Sequence, residues 1–435
     1  MDSSDFRCVV TGCNGYLGKA LCHLLARRGL PVAGLCRAGR DVSDLTSAGI
    51  PCHGYDALAR VVGAGDVVVH CAGRTGGGGT WADFEKTNVD LSLDLFRAAA
   101  EAKAAAFVYV SSVAALGYAN RPGQDTLVED DPPVLGPGEL YGRSKLLAEQ
   151  RLADAARGSS VRLIVLRPGL VYGTAGASGG RALEAAFVLD PAQRVPLVHV
   201  SNFADAVVLS AGVAEPVATF HVVDEEQPAL GDLNRLKQAL GLADRLPPRR
   251  SVGRLSAAYC ARTLAKKLLR RATPVRGTLE ATLRFHRRRS LYTTMKLREA
   301  TGWRPRLSLV AGWEQAAGRS LEPLQWRPTT PARLAVWLSG GAADGGPAKL
   351  RDRVASGEAV LVGTARTREA AMDLQRRRHV DRWVVMADVA DDLPQAVRSM
   401  AWGCRAVRIA GADERGRAAL EELDVPGVDL GFEDL

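Results

Sequence analysis

Long apolar runs are missing. No stretch of the 435 residues approaches the roughly 18 uninterrupted apolar residues of a membrane span, and Met1 to Arg7 lack the basic and apolar regions of a secretory signal. A cytoplasmic location is expected, with membrane association only by peripheral contact. Cys-x-x-Cys pairs are also lacking. Of the eight cysteines, six fall between Cys8 and Cys71 and several sit within runs that read as strands or helices, so reduced, packed thiols are expected and no metal site. Internal repeats are absent, which excludes a solenoid. With 47% hydrophobic and 24% charged residues, the composition excludes a disordered or collagen-like chain.

The length exceeds the ~150 residues typical of one domain. The opening alternates short apolar runs with helical patterns, as consecutive βαβ units do: strands at Phe6–Val10, Pro31–Cys36, Val67–His70, Phe107–Val110 and Val161–Leu166, helices at Gly15–Arg28, Trp81–Lys103 and Tyr141–Arg157. The pattern predicts an α/β fold, a Rossmann-type doubly wound parallel sheet. Strands at Val195–Val200 and Thr219–Val223 follow a glycine-rich stretch and mark a small substrate lobe starting near residue 173. Around Trp326 to Pro331 the chain turns proline-rich, and strand patterns restart at Leu334–Leu338, Ala359–Val362, Trp383–Met386 and Ala406–Ile409. Two domains are expected, residues 1–325 and a small α/β unit of residues 332–435 without a chemical motif.

Acids are scarce in one place. Arg245 to Ser290 holds fourteen Arg and Lys against Glu280 alone, so this segment carries +13 and the remainder of the +9 chain sums to −4. Leu255–Arg271 reads as an amphipathic cationic helix. An anionic membrane surface could meet residues 253–290, a solvated helical face would look the same, and nucleic acid is disfavoured because stacking aromatics are not interleaved.

Thr11-Gly12-Cys13-Asn14-Gly15-Tyr16-Leu17-Gly18 follows the first strand and opens the first helix. Glycines there allow a tight turn and close backbone approach, and the helix N-terminus offers unpaired N–H groups to a diphosphate. Gly12, Asn14, Gly15, Tyr16, Leu17 and Gly18 are therefore candidate dinucleotide contacts, although a ligand-free βα turn has the same glycines. The second strand ends in Arg37, not an acid; a guanidinium favours a 2′-phosphate, hence NADP over NAD, unless Arg37 is only a surface residue. Asp56 and Ala72, in the run His70-Cys71-Ala72-Gly73, stand where the adenine-side wall would form.

Tyr141 and Lys145, four residues apart near the start of a helix, share one face. A phenol titrating near ~10 exchanges protons poorly at neutral pH, and a neighbouring ammonium would favour its phenolate. Tyr141 is then an acid–base group and Lys145 a ribose holder. Ser111 and Ser112 end the strand Phe107–Val110, at the carboxyl edge where an open parallel sheet meets its ligands.

From about Phe6 to Trp313 the sequence resembles the extended short-chain dehydrogenase/reductase family, which includes NAD-dependent epimerases and dehydratases and 3β-hydroxysteroid dehydrogenase-like enzymes. The resemblance implies Ser112, Tyr141 and Lys145 as the catalytic set, with Asn88 of Thr87-Asn88-Val89-Asp90 as a structural or proton-relay residue. It also implies that Arg167 to Gly173, including Pro168, Gly169 and Val171, lines the nicotinamide. His199 to Asp205 and Thr301-Gly302-Trp303-Arg304-Pro305 resemble later landmarks. Ser112 is preferred to Ser111 because its spacing to Gly117 fits the family, and Asn202 stands where members often carry Asp. The implied reaction interconverts a ketone and a secondary alcohol with NADP (or NAD) on a small-molecule substrate, for which an apolar compound is one expectation. Alternatives are a nucleotide-sugar epimerase with tightly held NAD and, in another class, a non-catalytic dinucleotide-binding scaffold. Dehydration is disfavoured because Val113, not an acid, follows Ser112. In similar proteins the helices at 81–103 and 141–157 form a homodimer face.

Overall fold

The computed structural model describes residues 6–75, 79–122, 124, 126–173, 188–242, 251–253, 256–257, 260–261 and 275–317, with five strands beyond residue 333. Two compact units result, one of Met1–Asn120, Glu129–Arg289 and Lys296–Arg327, the other of Arg121–Val128, Ser290–Met295 and Pro328–Leu435.

The first unit begins with β1 (Cys8–Thr11), α1 (Tyr16–Arg27), β2 (Val32–Cys36), α2 (Ser43–Ser47), β3 (Cys52–Gly54), α3 (Leu58–Val61) and β4 (Val67–His70). Next come α4 (Trp81–Phe84), a π-helical turn at Glu85–Asp90, α5 (Leu91–Glu101) and β5 (Ala106–Val110). After β6 (Thr126–Leu127), a strand of the second unit, the chain returns to form α6 (Leu140–Ala156), β7 (Arg162–Pro168), β8 (Leu170–Tyr172), β9 (Leu197–His199), α7 (Val200–Ser210) and β10 (Val217–Val222). The remaining helices are α8 (Leu230–Ala239), α9 (Val275–Arg287), α10 (Met295–Thr301) and α11 (Leu309–Ala317), with β11 (Leu291–Tyr292), a strand of the second unit, between α9 and α10.

Seven strands form one parallel sheet in the order β10-β7-β5-β4-β1-β2-β3. Side chains alternate between its faces. Cys8 and Val10 of β1 pack with Leu21 and Leu25 of α1 and Phe203 and Val207 of α7, whereas Val9 packs with Phe96 of α5 and Leu152 of α6. Covered on both faces, the strands must be apolar throughout, which is why they read as continuous runs. The order reverses between β1 and β4, and a ligand crevice opens there at the carboxyl ends.

The seven described cysteines are all free, and burial pushes the Cys8 and Cys71 thiols up to about 12, which keeps them inert. Trp313 of α11 stacks on Tyr172 of β8 with ring centroids 4.9 Å apart, inside a separate apolar cluster with Leu197, Leu233 and Leu236. Asn202 explains its departure from Asp: its Nδ2 donates to the Asp224 carboxylate at 2.8 Å and to the Leu307 carbonyl, while its Oδ1 accepts from the Arg306 and Leu307 N–H groups. A second carboxylate facing buried Asp224 would repel it.

In the second unit β6 pairs with β11, and the five later strands are β12 (Leu334–Leu338), β13 (Leu361–Ala365), β14 (Arg382–Met386), β15 (Ala406–Ala410) and β16 (Asp429–Glu433). β12 pairs with β13, and β14, β15 and β16 form a three-stranded sheet, all parallel. Most of the expected cationic helix Leu255–Arg271 lies outside the described residues; the described cationic helix is α9. Among the described residues no helix is long and apolar enough to cross a membrane.

Candidate active site

The glycine loop leaves β1 and enters α1 with no room for side chains. Gly12 has φ +71°, and a Cβ there would lie 2.8 Å from the Ala72 backbone; a Cβ on Gly18 would lie 2.3 Å from the Gly12 carbonyl oxygen. Gly15 caps α1 without a side-chain hydrogen bond, and no acid occupies the first turn, so positive helix potential faces the crevice. Tyr16 buries its hydroxyl without a hydrogen-bond partner among the described residues. A cradle of this shape and polarity fits a diphosphate. Asn14 and Leu17 flank it, both half-buried.

Arg37 follows β2, is exposed, and joins no ion pair among the described residues. Asp56 turns into solvent, 85% exposed, with Arg60 3.9 Å away. Its neighbour Tyr55, which the sequence reading passed over, turns inward: its hydroxyl interacts with the Gly12 backbone and its pKa is pushed up to about 12, by burial first and then by the nearby Cys36 and Cys13 thiols. The run after β4 reaches further than the adenine side. Ala72 faces Gly12, whereas a Cβ on Gly73 would lie 3.2 Å from Asn88 Oδ1 and 3.4 Å from Lys145 Nζ.

Ser112 leaves β5 extended, accepts the Ala114 N–H at 3.1 Å and hydrogen-bonds the Tyr141 phenol. Close packing enforces the pairing, since a Cβ on Gly142 would lie 2.3 Å from the Ala114 carbonyl oxygen. Ser111 is engaged elsewhere: it is buried and donates to Glu149, which Arg167 grips through Nε at 3.0 Å and Nη2 at 2.6 Å. The structure thus separates the two hydroxyls, with Ser112 alone beside Tyr141.

Lys145 Nζ donates to the Val110 carbonyl at 2.7 Å and lies 4.7 Å from the Tyr109 ring centroid. Burial lowers its pKa to about 8. Tyr141 titrates well above the ordinary phenol, by burial first and the Tyr118 phenol second, with only the Ser112 hydrogen bond opposing. The expected acidification by Lys145 is not among the causes: the ammonium turns toward the end of β5, so in this arrangement Tyr141 holds its proton. Asn88 lies in the π turn, and its amide donates to the Ser144 hydroxyl at 2.8 Å and the Arg74 carbonyl at 2.9 Å while accepting from the Arg74 N–H at 2.6 Å. It fixes the segment after β4 against α6. Pro168 ends β7, a Cβ on Gly169 would lie 2.6 Å from the Pro196 carbonyl oxygen, and half-buried Val171 sits in β8.

Residues 8–216 match the model of the NAD dependent epimerase/dehydratase family. A ketoreductase of a farnesylated dihydroquinoline oxide from Stigmatella aurantiaca is 31% identical over 174 residues, 38% of this chain and 51% of that protein. UDP-glucose 4-epimerase of Azospirillum brasilense is 29% identical over 240 residues, 47% of this chain and 68% of that protein. The match spans about half the length of the first of these relatives. The crystal structure of Thermus thermophilus UDP-glucose 4-epimerase with NAD superposes with a TM-score of 0.54 at 20% identity, covering 72% of this chain and 98% of that one, which establishes a shared fold. By the glycine loop, the parallel sheet and the family-model match, residues 8–216 of this chain form a segment of the NAD dependent epimerase/dehydratase type found in extended short-chain dehydrogenases/reductases.

Proposed function

We propose that this chain is an NADP-preferring oxidoreductase that interconverts a ketone and a secondary alcohol. The observation that carries the reading is the pairing of Ser112 with a protonated Tyr141, one helical turn from Lys145 and beside the glycine cradle. A bound nicotinamide supplies or accepts the hydride. Tyr141 gives its proton to the carbonyl oxygen as the alcohol forms and takes it back in the reverse direction, and Ser112 holds that oxygen. Asn88 and Lys145, converging on Gly73, hold the floor on which the cofactor's ribose would rest. Glu149 and Arg167 neutralise one another below and keep Ser111 out of the reaction.

Reductase chemistry is also what the names of several relatives state, among them a 2-alkyl-3-oxoalkanoate reductase of Stenotrophomonas maltophilia, 27% identical over 175 residues. Purified protein with NADPH and a panel of cyclic and aryl ketones, followed at the reduced-cofactor absorbance, is expected to show turnover. Epimerisation of a nucleotide sugar without net NADPH consumption, together with tightly held NAD by mass spectrometry, would replace the reading. Cofactor affinity with no turnover of any substrate would leave a binding scaffold.

Arg37 carries the preference for NADP. Charged hydrogen bonds of this kind contribute about 1.5–3 kcal/mol, so Arg37→Asp is expected to weaken NADP binding roughly 10- to 100-fold while NAD binding holds or improves. Parallel fluorescence titrations with both cofactors measure the ratio. An unchanged ratio removes Arg37 from the site.

A further inference from the structure

The turn after Ser112 delivers an aromatic ring to the catalytic phenol. Gly117 has φ +83°, and a Cβ there would lie 2.1 Å from the Val134 carbonyl oxygen, so the chain must turn sharply at this point. Tyr118 then donates its backbone N–H to Glu139 Oε2 at 3.3 Å, and Glu139 is the residue that precedes α6, two positions before Tyr141. The proximity is close enough for the Tyr118 phenol to raise the pKa of Tyr141.

Helix α9 closes on Tyr118 from the other side. Phe285 meets the Tyr118 ring edge to face, centroids 5.1 Å apart, and Arg288 lies 4.5 Å over Phe285 and 5.3 Å over Tyr118. Two further ties fix the approach: Arg284 Nη1 is 3.6 Å from Glu139, and the Asn120 amide donates to the Arg287 carbonyl while accepting from the Arg289 N–H at 2.6 Å. The rings are held, yet they are not covered. Phe285 stays 36% exposed and Tyr118 half-buried. Val134, whose N–H donates to the Leu116 carbonyl, is 41% exposed. Of the five large apolar side chains left exposed among the described residues, Phe285 packs on Tyr118, and Val134 lies where its backbone meets the Leu116–Gly117 turn that leads into it. Apolar surface clustered at a site's mouth is stabilised by a ligand that covers it, and aromatic faces in a fixed frame favour a flat partner.

We infer that Tyr118 and Phe285 form a shelf that seats a flat, apolar ketone against Tyr141, with Tyr118 the specificity-determining residue. The inference rests on the reductase reading for its reaction and on the shelf for its substrate class. The basic character of this segment then serves the protein internally, through Arg284 and Arg288, by holding the shelf in place.

The test uses the full chain with 2-acetylnaphthalene as the flat ketone and 3-pentanone as the compact one. Tyr118→Ala is expected to raise KM for 2-acetylnaphthalene about tenfold or more with little change in kcat, and to leave 3-pentanone within about twofold. Tyr118→Phe, which keeps the ring, is expected to retain the flat substrate. Phe285→Ala, away from the reacting atoms, should reproduce the Ala phenotype in weaker form. Equilibrium dialysis of 2-acetylnaphthalene against the NADP-loaded protein gives a readout independent of turnover. Binding that is lost in Tyr118→Ala supports the shelf even without reduction, an outcome that would sink the reductase reading alone. Equal losses for both ketones, or binding of 2-acetylnaphthalene that Tyr118→Ala leaves unchanged or that the wild type lacks, overturns the shelf.

Discussion

Tyr141→Phe is expected to leave NADP affinity within a factor of about two and to lower ketone reduction by roughly 10²- to 10⁴-fold, the range a positioned general acid contributes. The substitution removes one oxygen and keeps the ring that packs at the start of α6, so the fold should be retained. For the proposed reaction, the favoured direction follows from the electrostatics. Burial keeps Tyr141 protonated through neutral pH, which suits proton delivery to a ketone and disfavours proton removal from an alcohol. The upper limit of the reductive pH profile falls to Lys145, whose ammonium, lowered to about 8 by burial, is progressively lost as pH rises through that value. Wild-type reduction should therefore decline above about pH 8. A single-turnover measurement in which Tyr141→Phe matches the wild type would remove the phenol from the reaction, and a profile flat through pH 8 would do the same for Lys145.

The helix bearing Tyr141 and Lys145 was legible because a four-residue spacing puts two side chains on one face whatever else surrounds them. What the spacing could not convey was where the two heads point. Lys145 reaches the Val110 carbonyl, a contact made across 35 positions of chain, and Tyr141 lies within electrostatic reach of Tyr118, which follows a turn at Gly117 with φ +83°. The different settings of Ser111 and Ser112 likewise depend on Glu149, on another element, which takes the first hydroxyl and leaves the second beside the Tyr141 phenol. Tyr55 escaped notice because Asp56 carries the more familiar polar group, although the short 3₁₀ turn after β3 sends the acid outward and the phenol toward the loop.

The central sheet was equally accessible, since strands buried on both faces must be apolar at every position; Val67–His70 was read with the bounds it has. Short edge elements lacked that signal. β3, only Cys52–Gly54, contains a histidine and a glycine and pairs along one side alone. The helix expected over Trp81–Lys103 is interrupted at Glu85–Asp90, where one wider turn brings Asn88 against Arg74 and Ser144. Helical periodicity averages over such a turn and hides it, and π turns of this kind recur at functional residues.

Gly18→Ala is expected to weaken dinucleotide binding by roughly 100-fold, the scale on which displacements of about 1 Å disable a positioned site. The new methyl would sit 2.3 Å from the Gly12 carbonyl oxygen and 2.8 Å from its carbonyl carbon. Neither neighbour is a side chain that could swing aside. Gly12 cannot retreat, because its own φ of +71° and its approach to the Ala72 backbone fix it from behind. The methyl must push α1 away from β1, and with it the N-terminal N–H groups that a diphosphate would meet. Overpacking of this sort costs about 1–3 kcal/mol, so the melting temperature should fall by a few degrees while binding falls much further. Gly158→Ala provides the comparison, since a methyl there meets nothing within 4 Å, and it should change neither quantity. Calorimetric titration with NADP beside a thermal melt separates the two effects. If Gly18→Ala loses stability yet binds NADP within about threefold of the wild type, the diphosphate does not rest on this loop, and the assignment of the cradle fails independently of anything Tyr141 does.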